Sequence, residues 1–527
     1  MIPFRENKLF KKLWIQFRMA MKVSLIRIPT IIDVSASTAA VCPPIGLAYL
    51  KKIVSNFTNE IQVIDSVGNF PKIRTVHDGE FPITLLGQTK EKIASLLSKD
   101  AEIILVSCMF SQDWDYAKKI LKEIRLKCPK SIIIAGGEHI TGLPKYSMES
   151  AQEIDICVLG EGEITLQNIL QNIQKNGSID KNLPGICVRD KDGEIIQNIT
   201  QSRIKDLADS AWPDWEGFPL ENYFSEGHGF GVSYGGRTMP ILASRGCPYE
   251  CTFCSNPLMW TTLWNVRDPE DVYNEMKLYV EKYQITNFDF YDLTAIVKKK
   301  WIVDFCNLLI KNNLNVIWQL PSGTRSEAID GEVAPLLKQA GCRNLSYAPE
   351  SGSPEILKLV KKKMSTKKML DSMKSCVAEG LSIKVNIMCG FPKETRKHLI
   401  ESIGFIIQTA WVGCHDMAIN QFSPYPGTEL FEDLLKTNKI KLDENYFKEL
   451  SYYSSMSNAQ SYSDHLSNRD ILIYKTFGSA LFYSITLIRR PGRLFQLIKN
   501  VYTQNETDRL EKQLISYLGR LGYHYKK

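Results

Sequence analysis

Two blocks of short β-branched runs alternate with amphipathic stretches, an aromatic Gly/Pro-rich segment lies between them, and the C-terminal end shows no strand pattern. Together these predict an α/β protein. Residues 21–198 read as a doubly wound, Rossmann-like parallel sheet. Residues 237–436 read as a run of βα units, and residues 437–527 as a helical region. The strands are near-continuous apolar runs, as expected of a parallel sheet covered on both faces.

In the first block the expected strands are "KVSLIRI" (22–28), "IQVID" (61–65), "EIILVS" (102–107), "SIIIAG" (131–136) and "DICVLG" (155–160). Helices are expected near 44–54, 88–98, 113–127, 143–150 and 163–175. Small or turn-forming residues follow several strands ("VSCMFSQ", "AGGEH", "LGEGE"), at the carboxyl ends where open α/β sheets bind ligands. The glycine spacing of a dinucleotide fingerprint is missing. "PGICVRDKDGEIIQN" (184–198) predicts a β-hairpin turning at "KDG". Residues 199–236, with Trp212, Trp215 and Tyr223, read as an inter-domain linker.

The second block offers six strands: "MPILAS" (239–244), "NFDFYD" (287–292), "NVIWQL" (315–320), "NLSYAP" (344–349), "KVNIMCG" (384–390) and "MAINQFS" (417–423). Helices fill the gaps near 268–283, 298–313, 330–340, 366–379 and 394–410. A closed eightfold barrel takes about 250 residues, so these units predict a partial (β/α)6 barrel of the TIM type. The apolar run "TFGSALFYSITLI" (476–488) is shorter than the roughly 20 residues a bilayer span needs. It is expected to pack on the barrel. Followed by "RRPGRLFQLIKN", it has a membrane surface or a place over the active site as alternatives. Residues 1–20 are basic, with Phe4, Leu9, Phe10, Leu13, Trp14 and Phe17 at near-helical spacing. They read as a helix packed on the protein's own body, with an interfacial helix as the alternative.

The chain has 527 residues and a net charge of +7. No dense Lys/Arg face with interleaved aromatics stands out, so nucleic acid is not an expected partner. Most of the thirteen cysteines sit singly in apolar runs such as "ILVSCMF". They behave there as small hydrophobes and point to a reducing, cytoplasmic setting.

The exception is "SRGCPYECTFCSNP" (244–257), where Cys247, Cys251 and Cys254 share one loop and no fourth cysteine follows within fifty residues. A structural zinc site takes four ligands. A [4Fe–4S] cluster held by four cysteines is saturated, whereas three leave one iron open. The loop falls just past the first strand of the barrel, where barrel chemistry belongs. A zinc site completed by His228 or His415 is the competing reading.

The stretch "CPYECTFC" resembles the signature of the radical S-adenosylmethionine (SAM) superfamily. The resemblance continues in order through "FYD", "LPSGTR", "PESGS", "GFPKET" and "FSPYPGTELF", and in the first domain through "PPIGLAYL", "GGEHIT" and "LGEGE". Over residues 21–436 the chain is similar to the cobalamin-binding group of that superfamily. The group includes the hopanoid and phosphinate methylases and the anaerobic magnesium-protoporphyrin ester oxidative cyclase. The resemblance implies three cofactors: a [4Fe–4S] cluster on Cys247, Cys251 and Cys254, SAM on its open iron, and cobalamin. It implies that Phe253 lies beside adenine, that Asp292 receives the SAM amino group, that Arg325 takes its carboxylate, that Glu350 takes the ribose hydroxyls, and that Gly390 flanks adenine. Ser107, Gly136, Gly137, Glu138, His139, Gly160, Glu161 and Gly162 would line the cobalamin cleft. The second-strand motif reads "FYDLTAIV", and Ala348 and Pro349 precede Glu350; both depart from the usual pattern. The D-x-H-x-x-G loop that offers cobalt a histidine is absent, and the first domain holds only His77 and His139.

The implied activity is cobalamin-dependent methylation of an unactivated carbon by way of a 5′-deoxyadenosyl radical and methylcobalamin. The substrate would be a small or lipid-like molecule, and an external donor of the flavodoxin or ferredoxin type would supply the electron. The alternatives are a cyclase or oxidase of the same group that transfers no methyl, and an iron–sulfur electron carrier without catalysis. A methylthio-transferring relative is disfavoured, because the first domain lacks a second cluster's cysteines. The implied location is cytoplasmic, with peripheral membrane contact left open.

Overall fold

The computed structural model describes residues 21–33, 41–77, 82–198, 203–207, 210–227, 229–324 and 328–503, together with 510, 511, 514, 515 and 518. The expected N-terminal helix of residues 1–20 lies outside the described residues, as do His228 and Arg325. The chain forms two compact units. The first gathers the described parts of residues 1–31, 44–205 and 209–220, and the second those of 32–43, 206–208 and 221–527.

The strands of the first unit are β1 (Val23–Arg27), β2 (Thr30–Ile31), β3 (Ile61–Asp65), β4 (Ile73–His77), β5 (Pro82–Leu86), β6 (Ile103–Ser107), β7 (Ile132–Gly136), β8 (Ile156–Val158), β9 (Ile186–Arg189) and β10 (Ile195–Asn198). Seven of them form one sheet in the order β10-β9-β8-β7-β6-β1-β3. From β3 to β8 the pairing is parallel. The expected hairpin, β9 with β10, closes the edge antiparallel to β8. The parallel part has the doubly wound order 2-1-3-4-5, whose direction of winding reverses between β1 and β6. Ligands of such sheets sit outside the carboxyl ends of the strands at that switch, here beside Ser107. A second, three-stranded antiparallel sheet, β2-β5-β4, was not anticipated. Helices Ile45–Val54, Lys90–Leu96, Trp114–Lys127 and Gly162–Asn176 cover the main sheet with apolar stripes such as Ile120, Leu121 and Ile124.

The aromatic segment after residue 199 is divided between the units. Asp214 pairs with the buried Lys51 at 2.5 Å, and its amide donates to the Ala48 carbonyl at 3.0 Å, which ties this part to the first unit. Trp215 and Phe218 are buried there.

The second unit carries β11 (Thr238–Ile241), β12 (Ser244–Arg245), β13 (Asn265–Val266), β14 (Asn287–Phe290), β15 (Ile317–Thr324), β16 (Cys342–Glu350), β17 (Ser382–Cys389) and β18 (Asp416–Gln421). Six of these form an all-parallel sheet in chain order, β11-β14-β15-β16-β17-β18, with β11 and β18 at its edges. This is the open arrangement expected of a partial barrel. Phe290, Phe305 and Trp318 pack edge to face with ring centroids 5.4–5.8 Å apart. Inside the curve, Gln319 donates to Asp289 at 2.7 Å, and Asn344 donates to Gln319 at 3.3 Å. Residues 229–232 lie against this network: the amides of Phe230 and Gly231 donate to Asp289, and that of Val232 to Gln319. A Cβ on Gly231 would fall within the Gln319 side chain, so glycine is required there.

The helical end belongs to the second unit. Helix Asn468–Arg489 opens on a capping box formed by Ser467 and Asp470. It packs on β18 and on helix Arg396–Val412. Gly478 makes the approach possible, since a Cβ there would lie 2.6 Å from Ile419 and 3.3 Å from Ile406. The helix has 22 residues with a mean hydropathy of 1.5 over its most apolar window. It is long and apolar enough to cross a membrane by length and composition, which the shorter apolar run 476–488 had not suggested. Its buried face is committed to the protein: Lys475 is fully buried and donates to the Ser455 carbonyl.

Candidate active site

The three cysteines follow β12 in the loop after Gly246, which has φ +82°. All thirteen cysteines are outside disulfides; Cys247, Cys251 and Cys254 are half-buried. Burial raises the thiol pKa of nine of the other ten, to about 12 for Cys108 and Cys306. Thiols of that kind are poor metal ligands, because the thiolate is the binding form.

The loop is braced from four sides. Asn256 Nδ2 donates to the Cys247 carbonyl at 2.9 Å, and the Cys254 amide donates to Cys251 at 3.0 Å. The Thr252 amide donates to Val360 at 3.2 Å, while the Thr252 carbonyl accepts from Leu430 at 3.0 Å. Behind the loop, Asp292 accepts from the amides of Ala243 (3.1 Å) and Ser244 and from the Ser244 hydroxyl (2.6 Å). Burial pushes its carboxyl pKa up to about 6 despite these donors.

Among the described residues no three His, Cys, Asp or Glu side chains converge as ligands of one ion. A tetrahedral zinc site holds its sulfurs about 4 Å apart, given Zn–S bonds of about 2.3 Å. A cubane takes each thiolate on a different iron, which three thiols spaced along one loop can supply. His415, one candidate to complete a zinc site, sits at the start of β18, with its amide donating to Ile383 at 2.8 Å. That is the end of the sheet away from the cysteines.

Around the loop the other strand ends gather polar and aromatic groups. Glu350 ends β16 with φ +67° and pairs with Lys362 at 2.8 Å, both nearly buried. Lys362 Nζ lies 5.9 Å from the centroid of the Phe253 ring. Phe253 meets Phe391 at 5.7 Å, and Phe391 meets Phe422 at 5.4 Å. Gly390, with φ +89°, and Phe391 donate their amides to the buried Glu394, whose carboxyl burial lifts to about 7. Glu394 Oε1, Thr324 Oγ1, Gln421 Nε2 and Ser423 Oγ are buried without a hydrogen-bond partner among the described residues. Buried polar atoms in native proteins are nearly all satisfied, so these groups, each at or just past the carboxyl end of a strand, fit a polar ligand. Lys362 and Gln421 were not singled out from the sequence, whereas Phe391 and Glu394 belong to "FPKE", which the resemblance places with Gly390 beside adenine. Glu394 lay within "GFPKET", whereas the pairing of Lys362 with Glu350 left no local signal.

A separate cavity of about 630 Å³, lined among others by Asn287, Asn313, Gly341 and Arg343, opens at the amino ends of β14–β16. It is remote from the cysteine loop.

In the first unit Ser107 ends β6, beside the exposed Met109 and Phe110. Gly137 has φ +116°, and a Cβ there would lie 2.5 Å from the Cys108 carbonyl. Gly136 ends β7, and the Gly160 amide donates to Thr141 at 3.0 Å. Bare glycine backbone and exposed apolar side chains at a switch point fit a large flat cofactor. Glu138 and Gly162 start the helices Glu138–Gly142 and Gly162–Asn176. His139 is buried: its ring stacks on Trp114 at 4.4 Å and its Nδ1 bonds the Ser111 hydroxyl at 2.9 Å. Burial depresses its pKa to about 3. Glu161 is also buried, paired with Arg203 at 3.1 Å and accepting from the Ile204 amide at 2.8 Å.

An open parallel barrel with a three-thiol loop at its carboxyl end, in one chain with a doubly wound cofactor sheet, defines an iron–sulfur enzyme with a second, large cofactor. Residues 241–406 match the Radical SAM superfamily, and residues 31–170 match the B12 binding domain. The chain thus carries a radical SAM domain, which implies a [4Fe–4S] cluster and SAM, and a B12-binding domain, which implies cobalamin. It is 27% identical over 426 residues to an uncharacterized methyltransferase of Pyrococcus horikoshii, covering 80% of this chain and 84% of that one. It is 23% identical over 436 residues to the cytidylyl-2-hydroxyethylphosphonate methyltransferase of Streptomyces wedmorensis (77% and 80% covered). It is 26% identical over 351 residues to the anaerobic magnesium-protoporphyrin IX monomethyl ester cyclase of Rubrivivax gelatinosus (66% and 60% covered). Among solved structures it resembles the radical SAM methyltransferase TsrM from Kitasatospora setae, with TM-score 0.63 and 15% identity over 89% of this chain and 91% of that one. It also resembles the cobalamin-dependent radical enzyme OxsB, with TM-score 0.68 and 15% identity over 97% of this chain and 72% of that one. At such identities these two likenesses concern the fold.

Proposed function

We propose that this chain methylates an unactivated carbon of a small-molecule substrate, using SAM both as methyl source and as radical source. The observation that carries this reading is the occurrence in one chain of the three-thiol loop and of a glycine-built switch point in a B12-type sheet. When bound, the cluster supplies the electron that cleaves SAM to a 5′-deoxyadenosyl radical, and the corrin carries the methyl group.

Cys247, Cys251 and Cys254 would each hold one iron, leaving the fourth for SAM. Asp292 fixes residues 243–244 and, in this reading, presents negative charge to the SAM amino group. Arg325 would take the carboxylate, for which a guanidinium fork is suited. Glu350, held by Lys362, would accept the ribose hydroxyls. Phe253 and the Gly390–Phe391 backbone would flank adenine. In the first unit Ser107, Gly136, Gly137, Glu138, Gly160 and Gly162 would line the corrin. His139 and Glu161, engaged by Ser111 and Arg203, act here as supports of the lining loops. An external donor of the flavodoxin or ferredoxin type would supply the electron.

The test uses protein reconstituted anaerobically with iron, sulfide and hydroxocobalamin, then reduced and given methyl-labelled SAM with candidate substrates. Methyl transfer requires a corrin absorbance spectrum, and S-adenosylhomocysteine formed alongside 5′-deoxyadenosine. Formation of 5′-deoxyadenosine alone, with an unlabelled product, would place the chain with the cyclase it also resembles. Bound iron with neither product would mean an electron carrier.

A further inference from the structure

The apolar side chains left exposed in the second unit concentrate on three neighbouring helices. On Arg396–Val412 they are Ile400, Ile407 and Trp411, which fall at helical spacing on the side opposite the buried Phe405 and Ile406. On Asn468–Arg489 they include Ile473, Phe477 and Ile488, opposite the buried Ile471, Gly478 and Phe482. On Pro491–Thr503 they are Leu494, Phe495, Ile498 and Tyr502, opposite Leu497 and Asn500. The first two helices pack side by side, and the third packs on the second. The Arg489 guanidinium lies 5.0 Å from the Trp411 ring centroid and joins the first two at their carboxyl ends. Phe495 is 73% exposed and Ile488 78%. Apolar side chains exposed on adjoining helix faces mark an interaction surface.

The charge around this surface narrows what covers it. Residues 468–503 contain six basic side chains and one acidic one, Asp470, which is held by Arg396 at 3.0 Å. Arg469, Arg489 and Lys499 are exposed. A second copy of the chain would bring two basic rims together, which like-charge repulsion opposes. An anionic lipid surface offers both an apolar layer and the opposite charge, and amphipathic helices with basic rims lie in such interfaces at a depth of about 5–10 Å. The full length of Asn468–Arg489 is not available to span a bilayer, because the side bearing Lys475 and Gly478 is packed on the protein.

We propose that the outward faces of these three helices form a peripheral docking surface for anionic lipid bilayers, with Trp411, Phe495 and Ile498 as its apolar anchors and Arg489 and Lys499 as its charged rim.

The experiment is flotation of the full-length reconstituted protein with phosphatidylcholine vesicles, with or without phosphatidylglycerol. The wild type is expected to float with the anionic vesicles, and less so as salt is raised. Phe495→Ser/Ile498→Ser should lower partitioning at least tenfold. Arg489→Gln/Lys499→Gln should bring binding to anionic vesicles down to the level on neutral ones. Both variants should keep wild-type iron content and reductive SAM cleavage, which shows that they fold. The proposal is overturned if the wild type fails to float, or if both variants float as well as it does. It is equally overturned if the wild type sediments as a dimer that Phe495→Ser/Ile498→Ser dissolves while vesicles are ignored, since a second copy would then be the occupant.

Discussion

Replacing Asp292 by asparagine separates stability from function at the cysteine loop. The carboxylate serves three donors: the amides of Ala243 and Ser244 and the Ser244 hydroxyl. An amide oxygen can replace Oδ1 and keep both Ser244 bonds. Its nitrogen then faces the Ala243 N–H that Oδ2 had accepted at 3.1 Å, and a buried donor left unmatched costs about 1–3 kcal/mol. Against this, asparagine never ionises. The folded protein holds the Asp292 proton to about pH 6, against an ordinary 3.8. Keeping that carboxylate charged at neutral pH therefore costs on the order of 3 kcal/mol. The two effects oppose each other, so Asp292→Asn is expected to unfold within about 2 kcal/mol of wild type at neutral pH. The pH dependence has a definite sign. A carboxyl with a raised folded pKa contributes stability that is complete below pH 3.8 and is lost as pH rises through about 6. In urea titrations of cluster-free protein, wild type should therefore gain on the variant by roughly 3 kcal/mol from neutral pH down to about 4. Reconstituted Asp292→Asn should retain its iron, because the thiols are intact, yet cleave SAM at least tenfold more slowly, because the negative charge proposed to receive the SAM amino group is gone. A variant with wild-type cleavage, or a wild-type/variant gap that does not change with pH, would refute this account of Asp292.

Three other perturbations test other parts of the site. Alanine at any one of Cys247, Cys251 or Cys254 should abolish iron retention after anaerobic reconstitution while leaving the circular dichroism melt of the cluster-free protein unchanged. Gly137→Ala adds a Cβ 2.5 Å from the Cys108 carbonyl at a φ of +116°; it should destabilise by about 2–5 kcal/mol and weaken the corrin spectrum, whereas Gly193→Ala at an open hairpin turn should leave that spectrum intact. Lys362→Met strands Glu350 as an uncompensated buried charge, at a cost of about 3–5 kcal/mol, and should raise the SAM concentration needed for half-maximal cleavage; the double change with Glu350→Gln should recover the stability but not the SAM binding.

Much of the architecture was legible because it rests on burial. Runs such as "EIILVS" and "SIIIAG" are apolar throughout because both faces of a parallel sheet are covered, and they became β6 and β7 within a residue of the expected limits. The hairpin β9–β10 was equally legible, because a turn sequence between short apolar runs is a local signal. The antiparallel sheet β2-β5-β4 was not read, since β2 has only two residues and its pairing depends on contacts more than fifty positions away. The same reason hid the partners of the site residues. Asp292 reaches back 48 positions to Ser244, and Glu161 forward 42 to Arg203. A strand pattern says which side chains turn inward, but it does not say which polar groups meet there. The length of helix Asn468–Arg489 escaped for a related reason: the polar residues Ser467 to Asp470 form its cap and first turn, and Lys475 is buried on a carbonyl, so the apolar run marks only part of it.

The backbone of residues 229–232 has a consequence for traffic. By filling the curve of the barrel against Asp289 and Gln319, it turns this unit into a cup stoppered at the bottom. A ligand seated between β14 and β15 would therefore meet backbone, not solvent, on its Asp289 and Gln319 side, and would be approached from the carboxyl ends where the cysteine loop lies.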